Sequence, residues 1–242
     1  MCALTPGDVL KLARSLARRG NFWIPPGGSN VLGTLGYLDA LLELEQQVRD
    51  GLLPEPDLIF VALGSGGTAA GLLAGLALST LRSRIVAIPV MHLPMARALV
   101  TTLAARALRV SEHVVTPNWS SRLELDARWI GKGYGFPTQA GESAIEIAAK
   151  YGLSLESTYT GKAFAAALEW LRWPVDRGNV VAYPDDIPAL TNVRSLERAP
   201  QRALFWSTIS TTKDSPTDSE AVTLSPSLAR LLRDEPKRLP RN

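Results

Sequence analysis

Apolar positions along the chain switch between helical and strand periods. After Thr5-Pro6-Gly7-Asp8, a helix-start pattern, Val9, Leu10, Leu12, Ala13 and Leu16 form an apolar stripe that should stop at Gly20. Phe22 to Ile24 reads as a short strand ended by Pro25-Pro26-Gly27-Gly28. Ser29 or Asn30 can cap a helix over Leu32 to Arg49, with Asp50-Gly51 after it. Leu58 to Leu63 is an apolar run of buried-strand length, and an Ala/Leu-rich helical pattern follows it to Leu78. Arg84 to Val90 predicts a second strand, and Met95 to Leu108 a helix. Val114-Val115 is a candidate short strand, and Asn118 to Arg128 fits neither period. Three glycines and a proline make Gly131 to Pro137 an irregular loop. Helices are expected over Gly141 to Tyr151, stopped by Gly152, and over Lys162 to Arg172, with a final strand over Ala203 to Ser207.

Strands alternating with helices predict an α/β fold: an open, mostly parallel sheet flanked by helices. Pro174 to Arg202 reads as a long loop or insertion. Residues 211–242, rich in Ser, Thr, Asp and Pro, read as a disordered tail with one short helical stretch, Leu224 to Leu232. The main domain is therefore expected over residues 21–210.

Composition narrows the function classes. The 242 residues are 46 % hydrophobic and 20 % charged, a globular balance with enough chain for a sizeable core. The net charge of +3 is spread along the chain and offset by 23 acids, which argues against a nucleic-acid binder. Cys2 is the single cysteine, and His92 and His113 are the only histidines, so neither a disulfide framework nor a Cys/His zinc site is expected. No apolar run reaches the length of a membrane span, and the N-terminus lacks a signal-peptide core. The expected setting is cytoplasmic, with no membrane partner.

The chemistry concentrates after the first strong strand. Gly64, Gly66, Gly67 and Gly71 fall within eight residues between that strand and its helix. A strand that breaks into a glycine turn and then starts a helix aims several N–H groups at one spot, at the positive end of the helix dipole, where a phosphate is favoured. Three readings follow. Gly64, Gly66 and Ala69 satisfy the G-x-G-x-x-A dinucleotide pattern, as in an NADP-dependent oxidoreductase. That pattern also needs an acid after the next strand, and this one ends Ile88-Pro89-Val90-Met91-His92. A second reading is a phosphate cup for a smaller cofactor, with hydroxyls from Ser65 and Thr68. The third is a tight turn and close packing with no ligand, the expected role of Gly75 within the helix.

Four segments in order, IPPGGSNVLGTLGYLDALLELEQQV, VALGSGGTAAGLLAGLA, GYGFPT and TYTGKAFAAAL, resemble the C-terminal part of the D-cysteine desulfhydrase and 1-aminocyclopropane-1-carboxylate deaminase family. The likeness runs from about Asp8 to Trp173, with a continuation at Leu204 to Thr208. It implies a pyridoxal-5'-phosphate enzyme of fold type II, the tryptophan-synthase-β-like fold, here incomplete. It implies elimination from a small amino acid to a keto acid and ammonia. Gly64, Ser65, Gly66, Gly67 and Thr68 match the loop that holds the cofactor phosphate. Tyr134 and Tyr159 match aromatic positions on the substrate side of the ring. Thr208 falls where the family places a small hydroxyl near the pyridine nitrogen, although the family's His-Thr-Gly-Gly is replaced by Ser207-Thr208-Ile209-Ser210.

The family's Schiff-base lysine, in an early Asn-Lys motif, and the Ser-Asn motif after it have no match. Lys11, Lys132, Lys150, Lys162, Lys213 and Lys237 all lie in other contexts. Lys162 opens a helix and is expected to cap it or to pair with a surface group. The resemblance thus implies a member without its N-terminal portion, with residues 1–20 a remnant helix of the smaller domain. It also implies exposed apolar surface, a homodimer or a partner carrying the lysine, and little activity alone. A non-catalytic remnant or a split-gene subunit is the alternative.

Overall fold

The computed structural model describes residues 24–111, 115–172 and 202–208. Among them, the apolar runs form a four-stranded parallel sheet in the order β3-β2-β1-β4. β1 is Leu58–Leu63, β2 Arg84–Pro89, β3 Leu123–Leu125 and β4 Ala203–Trp206. Leu58 pairs with Arg84 on one side and Ala203 on the other, and Ile85 pairs with Leu123. β1 and β2 are almost wholly buried, which explains why they read as continuous apolar runs without alternation.

The period of two still sorts their side chains between two cores. Ile59, Val61 and Leu63, with Ile85 and Ala87, face a layer of three helices: α1 (Val31–Arg49), α2 (Gly67–Leu78) and α3 (Ala96–Ser111). Leu58 and Phe60, with Val86 and Ile88, face α4 (Gln139–Lys150) and α5 (Thr160–Arg172). On that side Phe60 meets Trp170 edge-on, with ring centroids 5.9 Å apart. The sheet is thus the middle of three layers.

α2 is buried almost all round, as an apolar helix without a polar face must be. Its glycines admit α1. A Cβ at Gly71 would lie 2.5 Å from the Thr34 carbonyl oxygen, and one at Gly75 would lie 2.7 Å from Leu41 Cβ. Gly75 is therefore a packing glycine, as expected. Arg122 closes the other end of α2: its guanidinium donates to the carbonyls of Leu76 (2.8 Å), Ser83 (3.0 Å) and Leu81. That meets a helix-terminal carbonyl with a cation at the negative end of the dipole.

Some expectations change. Asn118 to Arg128 resolves into a 3-10 turn at Trp119–Arg122, strand β3, and a second 3-10 turn at Ala127–Trp129. Its short, mixed composition hid a strand that needs only three pairings with β2. Val115 is in no strand and packs instead on the first core. Ile24, the one described residue of the expected Phe22 to Ile24 strand, is exposed and irregular. The expected helix ending at Gly20, Val114, the Pro174 to Arg202 segment save Arg202, and the 211–242 tail lie outside the described residues. Among the described residues, no helix is long and apolar enough to cross a membrane, and no His/Cys/Asp/Glu group could hold a metal ion.

Candidate functional site

β1 ends at Leu63, and the chain turns through Gly64, Ser65 and Gly66 into α2. Gly66 is the N-cap residue with φ of 97°, a left-handed conformation that side chains resist. The first turn of a helix has no internal acceptors for its N–H groups. Among the described residues, Ser29 Oγ accepts from Gly67 N at 3.0 Å, while no acceptor meets Thr68 N or Ala69 N. The glycine loop thus places these N–H groups at the carboxyl edge of a parallel sheet, where ligands of such folds sit.

Ser29 was one of two expected caps for α1, and the structure separates them. Asn30 caps α1, accepting from Gly33 N at 2.8 Å. Ser29 turns to the glycine loop instead, donating to Ser65 Oγ at 2.6 Å. The Pro-Pro-Gly-Gly segment comes with it. A Cβ on Gly27 would lie 2.1 Å from Ser65 Oγ, so only glycine permits this approach. Leu99 and Val100 of α3 form the apolar wall against Gly66.

The two tyrosines meet at the same place. Tyr159 packs on the loop so closely that a Cβ at Gly64 would be 2.9 Å from its Cε1. Its hydroxyl donates to that of Tyr134 at 3.0 Å, and the rings are edge-on with centroids 5.7 Å apart. Burial, and then the bond to Tyr134, push the Tyr159 phenol up to about 12, so it keeps its proton at neutral pH. Tyr134 is 52 % exposed and supplies the open side of the pair. Thr208 is exposed two residues past Trp206, which pairs with Val61, so it too lies at the carboxyl edge of the sheet.

Two polar residues beside the tyrosines were not found from the sequence. Glu156 accepts from the N–H groups of Thr158 (2.6 Å), Tyr159 (2.8 Å) and Thr160 (2.7 Å), ahead of α5. Burial works to raise its carboxyl pKa, but the donors, Thr160 first, outweigh burial and hold it below the ordinary value. The acid three residues before Tyr159 was the available signal. Lys162 corrects the expectation of a surface cap. It is fully buried, and its ammonium donates to the carbonyls of Ile130 (2.9 Å) and Gly133 (3.0 Å). Burial lowers its pKa. Its four methylenes allow the burial, and two carbonyls replace its water.

Farther along this edge, Asp126 accepts from Arg128 Nη2 (2.6 Å), Trp129 Nε1 (3.0 Å) and Trp170 Nε1 (2.9 Å), and Arg128 also reaches Glu169 at 2.6 Å. This network fastens the Ala127–Trp129 turn to α5. The dinucleotide reading finds no support, because β2 runs into Val90-Met91-His92 without the ribose-binding acid.

Known proteins resemble the chain in sequence and fold. The chain is 33 % identical over 180 residues to a D-cysteine desulfhydrase of Klebsiella pneumoniae strain 342, covering 70 % of this chain and 52 % of that protein. It is 32 % identical over 172 residues to a Thermotoga maritima protein assigned provisionally as 1-aminocyclopropane-1-carboxylate deaminase, covering 68 % and 52 %. A crystal structure of an ACC deaminase homologue superposes with a TM-score of 0.60 at 29 % identity, covering 72 % of this chain and 53 % of that one. The chain spans about half the length of the curated relatives it matches. A family model described as pyridoxal-phosphate dependent enzyme matches residues 3–182. The four-stranded parallel sheet, the glycine cup and this match place the chain in the pyridoxal-phosphate-dependent enzyme family.

Proposed function

We propose that this chain forms part of a lyase or deaminase of the D-cysteine desulfhydrase or 1-aminocyclopropane-1-carboxylate deaminase type, which converts a small amino acid to a keto acid and ammonia. The carrying observation is the contact between Gly64 and Tyr159, because it brings the phosphate cup and the tyrosine pair into one site. The residues fit the cofactor. Among the described residues no acceptor meets Thr68 N or Ala69 N at the helix N-terminus, and Ser65 and Thr68 supply hydroxyls in the same loop. When bound, pyridoxal phosphate supplies an electron sink for the reacting amino acid.

The chain's own groups divide the remaining work. Gly64, Ser65, Gly66, Gly67 and Thr68 would hold the phosphate, and Thr208 would stand at the sheet edge near the ring nitrogen. Tyr159 holds its proton and directs it to Tyr134 Oη, which leaves the Tyr134 proton for a substrate group. Leu99 and Val100 exclude water from the loop's apolar side. None of the chain's lysines lies in the family's Asn-Lys context, and the buried Lys162 is engaged with two carbonyls. The lysine that bonds the cofactor would come from a partner carrying that segment, in a cytoplasmic setting; a homodimer of this chain alone would not supply it.

Absorbance titration with pyridoxal phosphate, borohydride reduction and peptide mass mapping test this reading. The expected result is weak, reversible binding by the chain alone, no pyridoxyl-lysine and little turnover. Co-expression with a reading frame that encodes an Asn-Lys motif should restore turnover. Normal turnover with a pyridoxyl-lysine on this chain refutes the division of labour. Binding without rescue favours a non-catalytic remnant.

A further inference from the structure

Lys162 sits three residues after Tyr159, in the first turn of α5, with none of its surface exposed. The carbonyls that receive its ammonium belong to Ile130 and Gly133, which bracket a turn ending at the residue before Tyr134. Gly131 and Gly133 in that turn have φ of 62° and 117°, left-handed values that aim their carbonyls as side-chain-bearing residues could not. A buried cation is costly, and a well-packed apolar residue would stabilise the same place more simply. What the ammonium adds is a tie between the loop that carries Tyr134 and the helix start that carries Tyr159.

We infer that Lys162 is the positioning residue of the tyrosine pair: its ammonium holds the Ile130 to Gly133 turn against the start of α5 and so sets Tyr134 opposite Tyr159. Glu156 is the acid whose charge Lys162 feels, and it fixes the Tyr159 end through backbone N–H groups. The two phenols are the titratable groups that report whether the tie holds. The significance of the pair for turnover rests on the proposed function, whereas its geometry does not.

The test is the ionisation of Tyr159, followed by NMR in protein carrying 13Cζ-tyrosine and assigned with Tyr159→Phe. Lys162→Met keeps the apolar stem and removes the tie. We expect the Tyr159 midpoint to fall from about 12 toward the ordinary value of about 10, by as much as it falls in Tyr134→Phe. In the Tyr134→Phe background, Lys162→Met should add no further shift. An unchanged midpoint in a folded, merely less stable Lys162→Met protein overturns the inference, because general loosening does not leave the pair in place. If Lys162→Met does not fold by circular dichroism, Gly133→Ala replaces it. Its added Cβ meets no atom within 4 Å, but alanine resists the glycine's φ and so moves the carbonyl that Lys162 holds. A fall of the midpoint supports the inference, and an unchanged midpoint overturns it. Pyridoxal phosphate affinity, read by absorbance on the same samples, tests the proposed function separately. A wild-type chain that binds none leaves the titration result standing.

Discussion

Tyr159 donates its phenolic hydrogen to Tyr134 across 3.0 Å, and its ring lies against the backbone of Gly64. Burial and that bond raise its phenol to about 12. An unfolded tyrosine loses its proton near 10, so between about pH 10 and pH 12 the folded chain holds a proton that the unfolded chain has released. The stability this contributes is complete below about pH 10 and is lost as pH rises through about 12. Urea unfolding at about pH 8 and about pH 11.5 should show a larger loss for the wild type than for Tyr159→Phe. Equal losses would contradict a half-buried phenol that holds its proton above the ordinary range.

Two glycines of one segment should respond differently to the same substitution. At Gly75, a methyl group meets Leu41 Cβ at 2.7 Å and the Leu38 carbonyl at 2.8 Å, both fixed by helix packing. Gly75→Ala should cost about 1–3 kcal/mol from overpacking, less up to about 1 kcal/mol returned by helix propensity. At Gly64 the obstacle is the ring edge of Tyr159. Gly64→Ala should displace that ring, lowering the Tyr159 midpoint and weakening cofactor binding, with a stability change under about 1 kcal/mol. Urea midpoints and phenol titration of both variants separate packing glycine from site glycine.

The elements of the fold were legible where period and length agreed. Leu58–Leu63 and the helix ending at Arg49 stand where the apolar pattern put them. β3 was not legible, because Leu123-Glu124-Leu125 has no length to show a period and owes its strand form to pairing with β2. In the site, the glycine turn could be read from its own backbone requirement, whereas Tyr134 and Tyr159 entered only through the family resemblance. Lys162 and Ser29 could be read from neither. Their partners lie 29 to 38 residues away, and no local pattern tells a buried lysine or a reaching serine from a surface one.

Asp126 accepts two indole N–H groups and a guanidinium inside the second core. Burial works to raise its pKa, but Arg128 first, then the indoles, outweigh burial and hold it below the usual carboxylate range. Asp126→Asn turns one acceptor into a donor facing donors. Breaking a buried pair costs about 3–5 kcal/mol, and the 36 % exposure of the Arg128 side chain lets water recover part of it, leaving about 2–3 kcal/mol. Thermal unfolding reads this, and a red shift of tryptophan emission should accompany it as Trp129 and Trp170 gain water. A stability change below about 0.5 kcal/mol would remove this network from the reasons the Ala127–Trp129 turn is held.

Glu156 should govern the acid side of the same site. Its carboxylate gathers the N–H groups of Thr158, Tyr159 and Thr160, three donors at the start of α5 that the helix itself cannot satisfy. Its pKa is depressed, so its stabilising contribution is present above the unfolded value near 4.5 and is lost as pH falls through the folded one. Glu156→Ala should cost about 1–2 kcal/mol at neutral pH, as loss of a helix cap does. Glu156→Gln keeps an oxygen acceptor without the charge and should cost about half as much. Melting temperatures between about pH 7 and about pH 3 should show the wild type converging on Glu156→Gln as the carboxylate takes up its proton. A gap that stays constant over that range would mean that shape, and not charge, holds the turn before Tyr159.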